Sequence, residues 1–182
     1  MKYAVIDVGS NTVRLCVYDV LCPEKRKFKT IMNRKIMAGL AAYIVDGAFS
    51  DEGIAEAILA VRKCIKRASY LSPDRIDVFA TAVLRNISNS AQAIAAIEQG
   101  AGCSISLLSN ADEAHLGFVG ASSRGTLDDG ALIDIGGGST EITVIENGID
   151  VARTSLPQGS LSSYKRCLLY TSPSPRDSTS SR

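Results

Sequence analysis

A chain of 182 residues that is 46% hydrophobic, 21% charged and formally +1 can bury a core, and it falls outside the compositionally disordered class. No apolar run reaches the roughly 18 residues of a transmembrane helix, and no basic stretch interleaved with aromatics suggests a nucleic-acid platform, so neither membrane nor nucleic acid is an expected partner. The five cysteines form no CxxC pair and stand beside a single histidine, which argues against a structural zinc site or a secreted disulfide framework.

The first predicted element is a strand over Tyr3 to Val8. Charge at Lys2 and Asp7 and a turn at Gly9 set it apart from a signal peptide and point to the cytoplasm. After Gly9-Ser10-Asn11-Thr12 the apolar pattern returns over Val13 to Val20, predicting a hairpin. Phe28 to Met32 reads as a third short strand, and Met37 to Ala48 as a glycine-broken loop with helical turns. Ser50-Asp51-Glu52 opens the clearest helix, a capping serine followed by two acids at the positive end of the dipole. Ile54, Ile58, Val61, Ile65 and Ala68 mark its predicted buried stripe, and Pro73 lies past its end. A strand over Asp77 to Ala80, a helix over Ser90 to Gln99 and a strand over Ser104 to Leu108 follow. The next helix opens at Asn110-Ala111-Asp112-Glu113, with Asn110 as its expected cap.

Beyond a polar loop the pattern restarts: a strand over Ala131 to Ile135, a turn at Gly136-Gly137-Gly138-Ser139, and a strand over Glu141 to Ile145. Asn147-Gly148 then signals a hairpin returning over Ile149 to Leu156. From Cys167 two prolines and a Ser/Thr cluster predict an irregular polar terminus. Cys167 to Asp177 also resembles one reading frame of a transposase-type sequencing adapter, which sets 167–182 apart and places the natural continuation beyond about Arg166.

Asp-x-Gly-Ser (Asp7, Gly9, Ser10) recurs as Asp-x-Gly-Gly-Gly-Ser (Asp134, Gly136, Gly137, Gly138, Ser139), a weak internal repeat of strand, acidic glycine turn and strand. Glycine lets the backbone approach a ligand without an intervening side chain. Successive amides in such turns can form a nest for phosphate oxygens, with Ser10, Asn11, Ser139 and Thr140 adding donors. Asp7 and Asp134, at the strand ends, suit magnesium, which in turn neutralises phosphate. One such turn alone is an ordinary connection between strands; two at matching places make a facing pair.

Ile6-Asp7-Val8-Gly9-Ser10-Asn11-Thr12-Val13-Arg14-Leu15 and Ile133-Asp134-Ile135-Gly136-Gly137-Gly138-Ser139-Thr140-Glu141 resemble the two phosphate loops of the Ppx/GppA phosphatase family. Ala80-Thr81-Ala82-Val83-Leu84-Arg85, Leu108-Ser109-Asn110-Ala111-Asp112-Glu113-Ala114 and Ser155-Leu156-Pro157-Gln158-Gly159-Ser160 resemble further family segments, in family order. The resemblance implies an α/β fold of RNase H-like lobes, as in the actin–hexokinase-like ATPase superfamily. The first lobe would be complete over 1–125, and the second would begin at 126–166 and be truncated. It implies hydrolysis of terminal phosphoanhydride bonds of polyphosphate or guanosine pentaphosphate with Mg2+, and a homodimer in longer members. Glu113 would deprotonate the attacking water and Arg85 would hold phosphoryl oxygens. Gly9, Ser10, Asn11, Gly136, Gly137, Gly138 and Ser139 would cradle phosphate, and Asp7, Asp134 and Glu141 would serve magnesium. Read without the family, Arg85 also fits an exposed strand-end arginine, Glu113 a first-turn helix acid and Glu141 a plain strand residue. Arg14 fits a strand face. His115 stands where arginine is usual in the family. An ATP-dependent kinase of the same superfamily and a non-catalytic alarmone-binding module are the alternative functions.

Overall fold

The computed structural model describes residues 1–25, 27–123 and 125–170. Five strands form the first sheet in the order β3-β2-β1-β6-β7, from β1 (Lys2–Val8), β2 (Thr12–Cys22), β3 (Lys27–Met37), β6 (Arg75–Ala80) and β7 (Ile105–Leu107). β1 to β3 run antiparallel, whereas β6 pairs parallel with β1 and β7 parallel with β6. Period-2 alternation decides the faces: Ala4, Ile6 and Val8 are fully buried, as are Val13, Leu15 and Val17. Against that face lie α1 (Asp51–Ser69) and α3 (Ser90–Ala101), with a one-turn helix α2 (Ala82–Arg85) between β6 and α3.

A short hairpin, β4 (Ile44–Val45) and β5 (Ala48–Phe49), closes the region read from sequence as a loop. Asp46 and Gly47, both at positive φ, make its turn. Asn89 completes it by mimicking a neighbouring strand: its amide oxygen accepts from Phe49 N at 2.8 Å and its amide nitrogen donates to Phe49 O at 2.9 Å.

The second sheet has three antiparallel strands in the order β10-β9-β8: β8 (Gly130–Ile135), β9 (Thr140–Glu146) and β10 (Ile149–Leu156). Asn147 and Gly148, at φ 52° and 72°, make the hairpin turn that the Asn-Gly pair predicts. Helix α4 (Asn110–Ser122) leads out of the first sheet and packs on β8, β9 and β10, and α5 (Ser160–Tyr170) follows β10. Among the described residues no helix is long and apolar enough to cross a membrane.

Several sequence expectations shift. β3 extends to Met37 rather than ending at Met32, since pairing along the whole of β2 outweighs the polar composition of Asn33-Arg34-Lys35. The buried stripe of α1 consists of Ala57, Ala60, Val61, Cys64 and Ala68. The predicted Ile54, Ile58 and Ile65 are half-buried at its margins, because small residues bring the helix close to the sheet and leave larger ones flanking the contact. The cap of α4 is Ser109 and not Asn110: Ser109 Oγ accepts from Asp112 N at 3.1 Å. Helix α5 runs to Tyr170, so Cys167–Tyr170 is helical where an irregular terminus was expected; both prolines of that terminus fall within 171–182, outside the described residues.

Ser50 caps α1 as expected, accepting from Gly53 N at 3.2 Å. Gly53 itself is fixed by packing, because a Cβ there would meet Tyr43 Cβ at 2.6 Å and the Phe49 ring at 2.8 Å. Gly→Ala inside a helix ordinarily stabilises by about 1 kcal/mol. At Gly53 the overlap reverses the sign, and Gly53→Ala is expected to lower unfolding free energy by about 1–3 kcal/mol, as read by urea denaturation.

Candidate active site

The two turns are built alike. Gly9 N donates to Thr12 O at 3.1 Å and Gly136 N to Ser139 O at 2.9 Å. The flanking pairs also correspond: Val8 with Val13 and Asp7 with Arg14 in one hairpin, Ile135 with Thr140 and Asp134 with Glu141 in the other. The register therefore corrects the sequence repeat. Ser139 corresponds to Thr12 rather than to Ser10, and Ser10 and Asn11 correspond to Gly137 and Gly138. The turns have equal length and differ only in their side chains.

They meet face to face. A Cβ on Gly138 would lie 2.5 Å from Ser10 Oγ, and one on Gly137 3.2 Å from Ser10 Cβ. A side chain at either glycine would require Ser10 to shift. Each turn is held from behind by the segment leaving the third strand of its own sheet. Ala41 N donates to Ser10 O, and both Ala38 N and Gly39 N donate to Asn11 O; in the second turn Ser160 N donates to Gly136 O and Leu161 N to Gly137 O. With these carbonyls tied back, the amides of Ser10, Asn11, Gly137 and Gly138 donate to no protein acceptor among the described residues. Gly159 completes the brace, since a Cβ there would fall 2.5–2.6 Å from the Gly136–Gly137 backbone. Gly159 and Ser160 lie in the segment Ser155 to Ser160 noted for its family resemblance, whereas Ala38, Gly39, Ala41 and Leu161 were not singled out; a glycine just past the third strand of each repeat, Gly39 and Gly159, is the signal that marks the brace.

Between the turns lies a cleft of about 230 Å³. It gathers Asp7, Gly9, Ser10, Asn11, Glu113, Asp134, Gly136, Gly137, Gly138, Ser139 and Glu141, together with Thr12, Thr81 and Ala82, which were not predicted. Ser10, Ser139 and Glu141 are buried. Asp7 Oδ1 is buried with no hydrogen-bond partner, and Ser155 Oγ donates to Glu141 Oε1 at 2.9 Å.

Arg85 stands behind this lining rather than in it. At the end of α2 its Nη1 donates to Glu113 Oε2 and to Leu108 O, both at 2.8 Å, while its Nε and Nη2 are buried without partners. Glu113 reaches the cleft from the first turn of α4. Burial pushes its carboxyl above the ordinary range, the hydrogen bond from Arg85 opposes that rise, and the charges of Glu141 and Asp7 add to it. Asp7 is likewise raised, by burial first, with Arg14 opposing and Asp134 reinforcing. His115 points away: its Nδ1 lies 2.7 Å from Asp150 Oδ2, which also accepts from Arg153 Nε at 2.6 Å.

A cleft floored by free amides, walled by carboxylates and flanked by a half-buried acid–guanidinium pair is suited to binding phosphoryl groups and activating water. The model of the Ppx/GppA phosphatase family matches residues 22–177. The chain belongs to the Ppx/GppA phosphatase family. An exopolyphosphatase from Cytophaga hutchinsonii superposes with a TM-score of 0.82 at 24% identity, over 91% of this chain and 53% of that one. The Ppx/GppA phosphatase of Aquifex aeolicus gives 0.73 at 22% identity, over 87% and 53%. The ethanolamine utilization protein EutJ from Carboxydothermus hydrogenoformans gives 0.53 at 24%, over 91% and 57%. The chain spans about half the length of these proteins. The likeness shows that the chain shares the α/β fold of these proteins.

The raised carboxyl of Asp7 has a testable sign. Between its unfolded value of 3.8 and its higher folded value, the native state binds more protons than the unfolded one, so the group lowers stability as pH rises. Asp7→Asn is expected to match the unchanged protein at pH below about 4 and to become progressively the more stable of the two above it. Thermal unfolding across pH 3–8 reads the difference; parallel curves would refute it.

Proposed function

We propose that the protein hydrolyses the terminal phosphoanhydride bond of polyphosphate or of guanosine pentaphosphate, with magnesium, by in-line attack of water. The observation that carries this reading is the placement of Glu113, a half-buried carboxylate whose proton affinity is raised by desolvation, beside turns whose amides donate to no protein acceptor among the described residues.

The terminal phosphoryl group would seat between the turns, its oxygens accepting from the amides of Ser10, Asn11, Gly137 and Gly138. These donors are fixed before substrate arrives, so no reorganisation opposes binding. Glu113 would orient a water against the phosphorus and take its proton. A carboxylate raised towards neutrality is the better base at working pH. From behind the lining, Arg85 would hold Glu113 in place through the 2.8 Å hydrogen bond from its Nη1.

The residues fit magnesium in part. Asp7, Asp134 and Glu141 share the cleft, and Asp7 Oδ1 is an orphaned buried acceptor. No three potential ligands converge into a ready-made set among the described residues, which agrees with an ion that keeps several waters and takes one or two carboxylates plus substrate phosphate. When bound, magnesium supplies charge neutralisation at the phosphoryl oxygens. Ser155, by hydrogen-bonding one oxygen of Glu141, leaves the other free to serve it.

Removing a general base lowers rate by about 10²–10⁴-fold. Glu113→Gln is expected to fall in that range in kcat, measured as phosphate release by the protein expressed through its full reading frame. Chelation by excess EDTA should stop release, and added magnesium should restore it. Release from neither substrate, or an unchanged rate for Glu113→Gln, would refute the reading.

A further inference from the structure

Helix α4 carries Glu113, and polar ties hold its first turns from opposite sides. Successive residues of an α-helix are about 100° apart, so side chains two positions apart leave it in nearly opposite directions. Glu113 meets Arg85 of α2 at 2.8 Å, whereas His115 meets the second sheet, its Nδ1 2.7 Å from Asp150 Oδ2 on β10. Between them Ala114 is buried, and its carbonyl accepts from Thr143 Oγ1 on β9 at 3.4 Å.

A bulge aims Asp150 at the helix. Side chains alternate along a strand, so residues 150 and 153 would ordinarily lie on opposite faces. The register of β10 on β9 shifts between Asp150 and Ala152, and one extra residue reverses the alternation. Asp150 therefore stands opposite Ile145 and Arg153 opposite Thr143, both buried β9 residues on the face against which α4 packs. Arg153 Nε donates to Asp150 Oδ2 at 2.6 Å. Hydrogen bonds from Arg153 and then from His115 hold the Asp150 carboxyl down at about 2. A carboxylate oxygen only accepts, so His115 Nδ1 carries a proton, and the tie holds for the neutral ring as for the charged one.

None of these three side chains lines the cleft; what they touch is α4. A general base must stand within hydrogen-bond reach of its water, so the seating of α4 sets what Glu113 can do. The link to Arg85 leaves the helix free to roll about it, and a second link on the opposite side removes that freedom. We propose that His115 is a positioning residue: through Asp150 and Arg153 it fixes the first turns of α4 to the second sheet, and so fixes Glu113 against the two glycine turns. The inference rests on the phosphohydrolase reading and adds to it a residue that meets no substrate.

Steady-state phosphate release by the protein expressed through its full reading frame tests it. His115→Leu keeps apolar packing beside Phe118 and loses the donor. Misplacing a reacting group by about 1 Å costs up to about 10²-fold, so this variant is expected to lower kcat by about 10–100-fold, with KM little changed. His115→Asn is expected to restore the rate, because its amide N–H replaces Nδ1–H, although asparagine is the poorer helix former. A merely structural side chain would give the reverse order. In a Glu113→Gln background His115→Leu should cost nothing further, since it acts through Glu113. Asp150→Ala, which removes the acceptor instead, is expected to give the same loss and serves if the leucine variant does not fold. An unchanged kcat in the folded variant, an asparagine variant no better than leucine, or an undiminished further loss in the Glu113→Gln background overturns the positioning role. If Glu113→Gln alone still loses its rate in that case, the phosphohydrolase reading stands and only the role of His115 falls. If neither substrate is hydrolysed, both fall.

Discussion

The contact between the two glycine turns is the constraint on which the rest of the structure depends. Each turn is closed by the same glycine amide to carbonyl hydrogen bond, and the turns approach until Gly138 leaves no room for a Cβ against Ser10. That contact joins the two sheets and sets the width of the cleft. It also fixes which way the peptide groups face, because the carbonyls of Ser10, Asn11, Gly136 and Gly137 are bound from behind. A turn whose carbonyls are satisfied on one side presents its N–H groups on the other, as a phosphate nest needs.

The remaining site groups are hung on this frame by short connections from neighbouring elements. β6 runs parallel to β1 and ends level with Val8, so α2 begins beside the first turn and ends at Arg85. β7 runs parallel to β6 and delivers the capped start of α4, with Glu113 in its first turn. Arg85 and Glu113 lie 28 residues apart in sequence, yet their pairing at 2.8 Å follows from these adjacent strand ends. The carboxylates so collected repel one another, and burial compounds this by raising Asp7 and Glu113. Such a concentration of desolvated acid lowers stability and gives a cation or a proton a reason to bind.

The repeat also exposes an asymmetry. Both turns follow an aspartate, but Asp7 is opposed across its hairpin by Arg14 and Asp134 by Glu141. One side of the cleft is charge-balanced and the other doubly acidic.

The sequence by itself determined the features that depend on neighbouring residues. The strand alternation of Tyr3 to Val8, the Ser50 cap, the Asn147-Gly148 hairpin and the two acidic glycine turns are dictated by local sterics and hydrogen bonding, and all were legible. The motifs around Arg85 and Glu113 were legible as segments, but nothing in their spacing says that the two side chains form a pair. Tertiary structure alone decided that Ser139 matches Thr12, that β3 runs on to Met37, and that the small residues of α1 rather than its isoleucines are buried. It also decided that Gly39 and Gly159 brace the turns. These are outcomes of register and close packing between segments distant along the chain, where one partner's geometry has no trace in the other's sequence.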